Sequence, residues 1–529
     1  MVGTQCDLKT APTFSRPLSV RSLVILALLT VLYCALIYFE MQRHLWFDEL
    51  LTFHIARAST FDRLFYLVKR WDLNPPLSHL LAHASLALSS GSRIAVRFPS
   101  VVEFYLGSLL LYTYSARKLG SAFAAFPVLI VWYSPLLRYA TEARPYALLL
   151  LFFCALLLVW NLAISSSRRR WILAGVALSS VGLLCSHVLA PFSLLPFAAA
   201  EFVRFLKRRR PDYPLWVALF LPLVLVVSYL PFIESYRSIT YYPVAFQAGL
   251  DKLASFYWHT FGGVTWCLCL AAAGGLLAIR GKWSWKPPFL PIPERALFAT
   301  SLTVPLFVDL LMMHDHAPFW GRYCITSVVV LYFLCALVLS SLTGRNVRAA
   351  SLMVWLVSIL LVAQHLLVPA YTKAVNPTLA NLDALARIRP DLPFVAASGL
   401  TFVEIGEYEN SALRSRLFYL KNRSAAIRFA NATIFEDMSD FQKEFKLPGT
   451  VEPYSQFTQE HPDFLVFGTF KYPEDWLLRK LAADGAAVVP LGTWATPYKD
   501  KTLFEIHIGG RFAPDVRRSA APAHGASKS

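Results

Sequence analysis

Long runs of Leu, Val, Ala and Phe fill roughly the first 370 residues of the chain, and from about Tyr371 onward the pattern becomes mixed and soluble-like. A helix needs about 20 apolar residues to cross a hydrocarbon core. About eleven runs approach or reach that length, at residues 22–39, 98–114, 122–137, 146–164, 171–189, 191–205, 215–232, 256–279, 296–313, 323–341 and 352–369. The first follows Lys9, Arg16 and Arg21 and ends without a small-residue cleavage site, which predicts an uncleaved signal anchor.

One shorter run decides the topology. Residues 76–88 rise roughly 20 Å as a helix, well short of a core roughly 30 Å thick. Treated as a helix lying on the outer surface, this run leaves an odd number of spans. Every basic cluster then falls on one side: the N-terminal leader, Arg117-Lys118, Arg168-Arg169-Arg170, Lys207 to Arg210, Arg280 with Lys282 and Lys286, and Arg345 with Arg348. Cytoplasmic loops collect Lys and Arg, so these clusters mark the inside. The expected organisation is a membrane domain over residues 1–371 with a large first outer loop at 40–97, an outward α/β domain over 372–510, and a disordered tail over 511–529. Strand-like runs at 394–397, 464–468, 486–491 and 502–507, with a helical stretch at 473–483, support the α/β expectation. The fold class expected is thus a polytopic α-helical membrane protein carrying a C-terminal α/β exoplasmic domain, in a cell inner (plasma) membrane, with the N-terminus cytoplasmic.

Composition agrees: the 529 residues are 56% hydrophobic and only 16% charged, and the mean hydropathy is +0.49. In a soluble protein a net charge of +17 would suggest nucleic acid. Here the charge sits in short clusters between apolar runs, so it sets orientation and no nucleic-acid partner is expected. Of the eight cysteines, Cys6 is in the leader and the others lie in or beside apolar runs, with no CxxC pair.

Candidate chemistry begins just after the first run, in His44-Leu45-Trp46-Phe47-Asp48-Glu49-Leu50-Leu51. Two carboxylates follow two aromatic anchors at the membrane surface, where charge is costly unless it is used or solvated. The same loop continues with a weakly amphipathic segment, 61–70, then Trp71-Asp72-Leu73-Asn74-Pro75-Pro76-Leu77. Asn-Pro-Pro stops one helix and starts another, since proline suits a first turn and disfavours the α region for its predecessor. Further on, Arg138-Tyr139-Ala140-Thr141-Glu142-Ala143-Arg144-Pro145-Tyr146 joins two spans on the outer face.

In this order, Phe-Asp-Glu at 47–49, Asn-Pro-Pro-Leu at 74–77, Arg97-Phe98-Pro99-Ser100 and Glu-Ala-Arg-Pro-Tyr at 142–146 resemble the GT-C membrane glycosyltransferases. The closest groups are the dolichyl-phosphate-mannose protein mannosyltransferases, the lipid A aminoarabinose transferases and their bacterial relatives. The resemblance covers roughly residues 20–370. It implies an inverting transfer on the outer face, from a polyprenyl-phosphate sugar donor held in the lipid bilayer to a hydroxyl of an envelope lipid, glycan or protein acceptor. Asp48 matches the family's acidic first-loop residue and is the expected general base. Glu49 either orients that base or binds sugar, and Asp72 and Asn74 belong to the same loop as candidate substrate contacts. The phosphate needs positive charge, preferably a guanidinium fork. Arg144 and Arg322 are favoured for this over Arg97, with Glu142, Tyr146 and Tyr323 beside them. The large lumenal insertion of eukaryotic protein mannosyltransferases is absent from the sequence.

His314-Asp315-His316 offers imidazole and carboxylate ligands to a divalent metal, although three neighbours rarely make a site by themselves. Two rival functions remain open on the sequence. A lipid-glycan transporter or flippase would show internal repeats and charges at mid-bilayer, for which Glu201 and Asp309 are the nearest candidates. A non-catalytic scaffold of the same fold is the other.

Overall fold

The computed structural model describes residues 20–41, 43–89, 92–166, 169–230, 233, 241–279, 290–375, 387–494 and 500–509. The expected tail 511–529, Cys6 and the leader, Arg168, Arg280, Lys282 and Lys286 lie outside these residues. The chain divides into two compact units near residue 373.

The first unit is helical. Its elements are α1 (Val20–Glu40), α2 (Phe47–Ala56), α3 (Phe61–Trp71), α4 (Leu77–Leu88), α5 (Phe98–Leu119), α6 (Ser121–Tyr133) and α7 (Tyr146–Ser165). They continue with α8 (Arg169–Leu184), α9 (Leu195–Arg208), α10 (Tyr213–Val227), α11 (Leu250–Ala278), α12 (Ile292–His314), α13 (Ile325–Leu342) and α14 (Val347–Val375). Each predicted apolar run overlaps one of these helices, although the runs at 122–137, 171–189 and 215–232 continue past the helix ends at Tyr133, Leu184 and Val227. Five stretches are long and apolar enough to cross a membrane by length and composition: α7, α11, α12, residues Gly321–Leu342, and Val347–His365 of α14. Others are shorter, α6 having 13 residues. Large apolar side chains stay exposed on α1 (Leu28, Val31), α11 (Trp258, Trp266), α12 (Phe307, Leu310) and α14 (Trp355, Ile359), as a lipid-facing surface requires.

Local sequence explains the helix ends. Pro99 occupies the first turn of α5, where its missing N–H costs nothing. Gly120 stands between α5 and α6 at φ 84°, a left-handed value that glycine adopts without strain, so one helix follows the other directly. Thr60 caps α3 by accepting the Arg63 N–H at 3.2 Å. Inside the bundle, a Cβ on Gly107 would lie 3.2 Å from the Leu151 Cα, so glycine there lets the α5 and α7 backbones come together. Trp132 on α6 adds a buried hydrogen bond from its Nε1 to the Ser108 Oγ on α5, at 3.0 Å.

The two ends of this unit differ. At one, Lys118 at the end of α5 pairs with Glu294 at the start of α12 at 2.5 Å, and the Asn161 Nδ2 of α7 donates to the same Glu294 oxygen at 2.7 Å. At that end too, Asp212 accepts from Arg169 at 2.8 Å and from Arg204 at 3.3 Å, tying α8 and α9 to the start of α10. Arg117 and Lys118 close α5, Lys207 and Arg208 close α9, and Arg169 opens α8. Of the carboxylates a transporter would use, Glu201 is tied within the bundle, while Asp309 keeps a buried Oδ2 without a hydrogen-bond partner among the described residues. Glu201 accepts from Arg204, Trp160 and Trp216. Asp309 accepts the Gly249 N–H at 3.2 Å. The opposite end carries α2 to α4 and the first turns of α5 and α7.

The second unit is an α/β fold built on a six-stranded sheet of order β3-β2-β1-β4-β6-β5. Its strands are β1 (Phe394–Ala396), β2 (Leu417–Lys421), β3 (Thr450–Pro453), β4 (Asp463–Gly468), β5 (Ala487–Trp494) and β6 (Lys501–His507). The first four are parallel, and β6 joins β4 and β5 antiparallel to both. Val395, Phe464, Val466 and Ile506 from the sheet pack on Phe457, Leu478 and Leu481 in one buried core. The short β2 and β3 are not foreseen from sequence, because alternation over so few residues is a weak signal.

Candidate active site

Helix α2 begins one residue after Trp46, whose backbone N–H is accepted by the Glu49 Oε2 at 3.4 Å in a capping arrangement. The first turn therefore presents Asp48 and Glu49 side by side in different surroundings. Glu49 is wholly buried. Arg97, from the turn preceding α5, grips it bidentately, Nε to Oε1 and Nη2 to Oε2, both at 2.7 Å. The Ala143 N–H donates to Oε1 at 3.0 Å. Arg97 also donates from Nη1 to the carbonyls of Met41 at 3.2 Å and Arg43 at 2.6 Å, and from Nη2 to that of His44 at 2.9 Å.

A guanidinium has five N–H donors, and these contacts account for all of those of Arg97. Arg97, expected among the substrate contacts, is 1% exposed in this structure and fastens the segment before α2 to the segments before α5 and α7. Burial alone would raise the Glu49 carboxyl, but the hydrogen bonds and charge of Arg97, with help from Arg43 and the Ala143 N–H, hold it below the usual carboxylate range. Both oxygens of Glu49 are thus taken up by the protein.

Asp48 is held loosely. Its side chain is 22% exposed, and its Oδ2 lies 4.0 Å from the Arg144 Nε and 3.9 Å from the Arg322 Nη2, beyond hydrogen-bonding reach of either. The Nε atoms of both arginines are buried and have no hydrogen-bond partner among the described residues. Arg144 is steadied from behind: its Nη1 donates to the Asp72 Oδ2 at 2.7 Å and to the Thr52 Oγ1 at 3.3 Å. Asp72 is itself fully engaged, its Oδ1 accepting the backbone and side-chain N–H groups of Asn74, both at 2.9 Å, with the His79 Nε2 3.4 Å from Oδ2. Burial opposes ionisation of Asp72, but Arg144, His79 and the Asn74 N–H overcome it and hold the carboxyl far below its ordinary value. Arg322 lies over the rings of Trp46, Tyr146 and Trp320 at 5.4–5.8 Å, a cation held by aromatic faces.

The remaining expected residues fall around this pair of arginines. Tyr146 and Tyr323 flank the buried His187, each with its ring centroid 5.6 Å from the imidazole. Glu142 is buried and pairs with Arg138 at 2.5 Å, and burial raises its carboxyl despite the pull of Arg138 and Arg43. Asn74 bridges Asp72 and the Val188 N–H, which its Oδ1 meets at 3.5 Å, so the Asn-Pro-Pro turn serves to place Asp72. His314-Asp315-His316 forms the C-terminal turn of α12, with His316 in the left-handed region at φ 51°. No group of three His, Cys, Asp or Glu side chains among the described residues is placed to hold a metal. Thr52, His79 and His187 join the site without belonging to any of the sequence motifs. The one signal available for them is that Thr52 and His79 sit within a turn of motif residues.

At one end of the helical bundle an acid and two guanidiniums with Nε atoms unpartnered among the described residues come together, on loops in the motif order described. Residues 73–232 match the dolichyl-phosphate-mannose-protein mannosyltransferase family. Among solved structures, ArnT from Cupriavidus metallidurans bound to undecaprenyl phosphate is similar, with a TM-score of 0.47 and 13% sequence identity, covering 91% of this chain and 97% of that one. No curated protein sequence matches the chain.

Proposed function

We propose that this protein transfers a sugar from a polyprenyl-phosphate donor to a hydroxyl of an envelope lipid, glycan or protein on the outer face of the membrane, with inversion. The observation that carries the reading is the loose bracketing of Asp48 by two guanidiniums at 3.9 and 4.0 Å, each with a buried Nε lacking a partner among the described residues. Glu49, Asp72 and Arg97 beside them have their charged groups engaged by the protein, which leaves Asp48 and the two arginines as the groups proposed for chemistry. A lipid-linked phosphate entering from the bilayer takes the Arg144 and Arg322 donors. Their charge then stabilises the phosphate as the bond from the anomeric carbon to its oxygen breaks and the electron pair leaves with the oxygen. As the arginines turn to the phosphate, Asp48 is released to accept the proton of the attacking hydroxyl.

The basic clusters at the opposite end of the helices support placing the site outside, since Lys and Arg accumulate on the cytoplasmic side. The family match over residues 73–232 supports the donor class. The test uses purified protein reconstituted with envelope membranes from cells lacking it, and an undecaprenyl-phosphate sugar labelled in the sugar. Label should pass to envelope material with wild type and fail to pass with Asp48→Asn. Unimpaired transfer by Asp48→Asn would remove Asp48 from the mechanism, and transfer from no lipid-phosphate sugar would remove the function.

A further inference from the structure

The end of the helical unit opposite Asp48 holds a concentration of positive charge that helix packing gathers and does not neutralise. Three helices meet there: α9 ends at Arg208, α10 begins at Tyr213 and α8 begins at Arg169. Asp212, 8% exposed, fastens them. It accepts from the Arg169 Nη2 at 2.8 and 3.0 Å and from the Arg204 Nη2 at 3.3 Å, with the Arg208 Nη1 3.6 Å away. Against Asp212 and Glu201 this corner sets seven cations, Arg169, Arg170, Arg204 and the run Lys207 to Arg210. Glu201 is already met by Arg204, Trp160 and Trp216. Lys207, Arg209 and Arg210 are exposed and stand outside these pairs. Such an excess of one sign draws anions from outside the chain. The other described clusters at this end are smaller: Lys118 beside Arg117 is paired with Glu294, and Arg345 with Arg348 makes two cations.

Directly beyond the charge, both flanking helices turn apolar and stay exposed. On α8, Trp171 heads a stripe that continues through Ala174, Leu178 and Val181 at helical spacing. On α10, Tyr213 heads a second stripe through Val217, Leu221 and Val224. The other faces, with Val176 and Leu183 on α8 and Leu215 and Leu219 on α10, are buried, so the stripes face the hydrocarbon. The two helices pack against each other, which sets the stripes on neighbouring supports. Tryptophan and tyrosine favour the depth of lipid headgroups, with an apolar body and a polar tip. Trp171 and Tyr213 are the first residues after the basic run on their helices, and they mark that depth beside the guanidiniums.

We infer that the corner formed by the start of α8, the end of α9 and the start of α10 binds an anionic diacyl phospholipid, its phosphate among the surplus cations and its acyl chains along the two apolar stripes. Charge and shape together decide the class. A zwitterionic lipid carries its own ammonium into a cluster already rich in cations, so its headgroup gains little there. A free phosphate uses the cations and leaves the stripes uncovered. An anionic lipid satisfies both, and arginine is the side chain best suited to grip its phosphate oxygens. This site shares no residue with the Asp48 centre, and it stands whether or not the transfer proposed above is right.

The test is native mass spectrometry of the full chain in mild detergent, offered equal amounts of phosphatidylglycerol and phosphatidylcholine with matched acyl chains. Wild type should retain phosphatidylglycerol in preference. Lys207→Gln/Arg210→Gln removes two exposed charges and leaves the partners of Asp212 in place. It should weaken that retention about thirtyfold, the worth of two basic side chains at an anionic surface. Arg345→Gln/Arg348→Gln removes the same charge from another cluster and should retain the lipid as wild type does. Thermal melting gives a second readout: added phosphatidylglycerol should raise the melting temperature of wild type and of the Arg345→Gln/Arg348→Gln protein more than that of Lys207→Gln/Arg210→Gln. Equal retention of the two lipids by wild type, or undiminished retention by Lys207→Gln/Arg210→Gln, overturns the assignment. Equal loss in both double variants also overturns it, since a diffuse field of charge would then replace a site.

Discussion

Asp48 and Glu49 are neighbours in sequence and opposites in circumstance. The pocket of Glu49 and Arg97 is closed on itself: two buried ions, every donor of the guanidinium used, every carboxylate oxygen met. One residue away, Asp48 faces two cations that it does not reach. A saturated pair fixes geometry but has nothing left to offer a ligand, while an unsaturated group stores the capacity to bind. In one turn of helix, the protein separates building its loop from using it.

The sharpest way to break this contrast is Asp48→Asn, which keeps the shape and removes the proposed base. Turnover should fall about 10²- to 10⁴-fold, the usual worth of general-base help, with melting temperature unchanged. Arg97→Met should do the reverse. It leaves Glu49 charged and buried without its ion-pair partner, a loss of about 3–5 kcal/mol, and should appear as aggregation or a large drop in melting temperature in detergent. Arg322→Met lies between: it should raise the apparent KM for the lipid-phosphate donor about tenfold or more, for one lost charge-assisted contact, while the protein melts normally.

Acid titration sharpens the comparison further. Glu49 and Asp72 are both more acidic folded than unfolded, so the stability they supply is complete above their unfolded values, 4.5 for Glu49, and drains away as pH falls through the lower folded ones. Melting temperature should hold steady from neutrality to about pH 5 and decline below the unfolded values, and an Arg97→Met/Glu49→Gln protein should lose part of that decline. The smallest effect is expected of Thr52→Ala. One hydrogen bond steadying Arg144 is worth about 1 kcal/mol, so donor affinity should shift about fivefold by the same reckoning.

Much of this is readable in the sequence because motif order survives where long-range packing is invisible. The helices announce themselves through apolar runs, and Asp48, Arg144 and Arg322 do converge although 96 and 274 residues separate the arginines from the acid. Arg97 looks equivalent to the other two in sequence because its position on the outer face says nothing about how many carbonyls surround it. His79, Thr52 and His187 stay hidden for a related reason. Their part depends on α2, α4 and the segment after α8 meeting at the back of Arg144 and Tyr146, and no local pattern encodes that approach.

Gly107 bears on how a lipid enters. With two backbones in contact at that point, α5 and α7 behave as one beam, and Arg97 and Arg144, near its tips, keep a constant span between them. On the proposed function, a polyprenyl tail has to part other helices, while the face carrying these two arginines stays still.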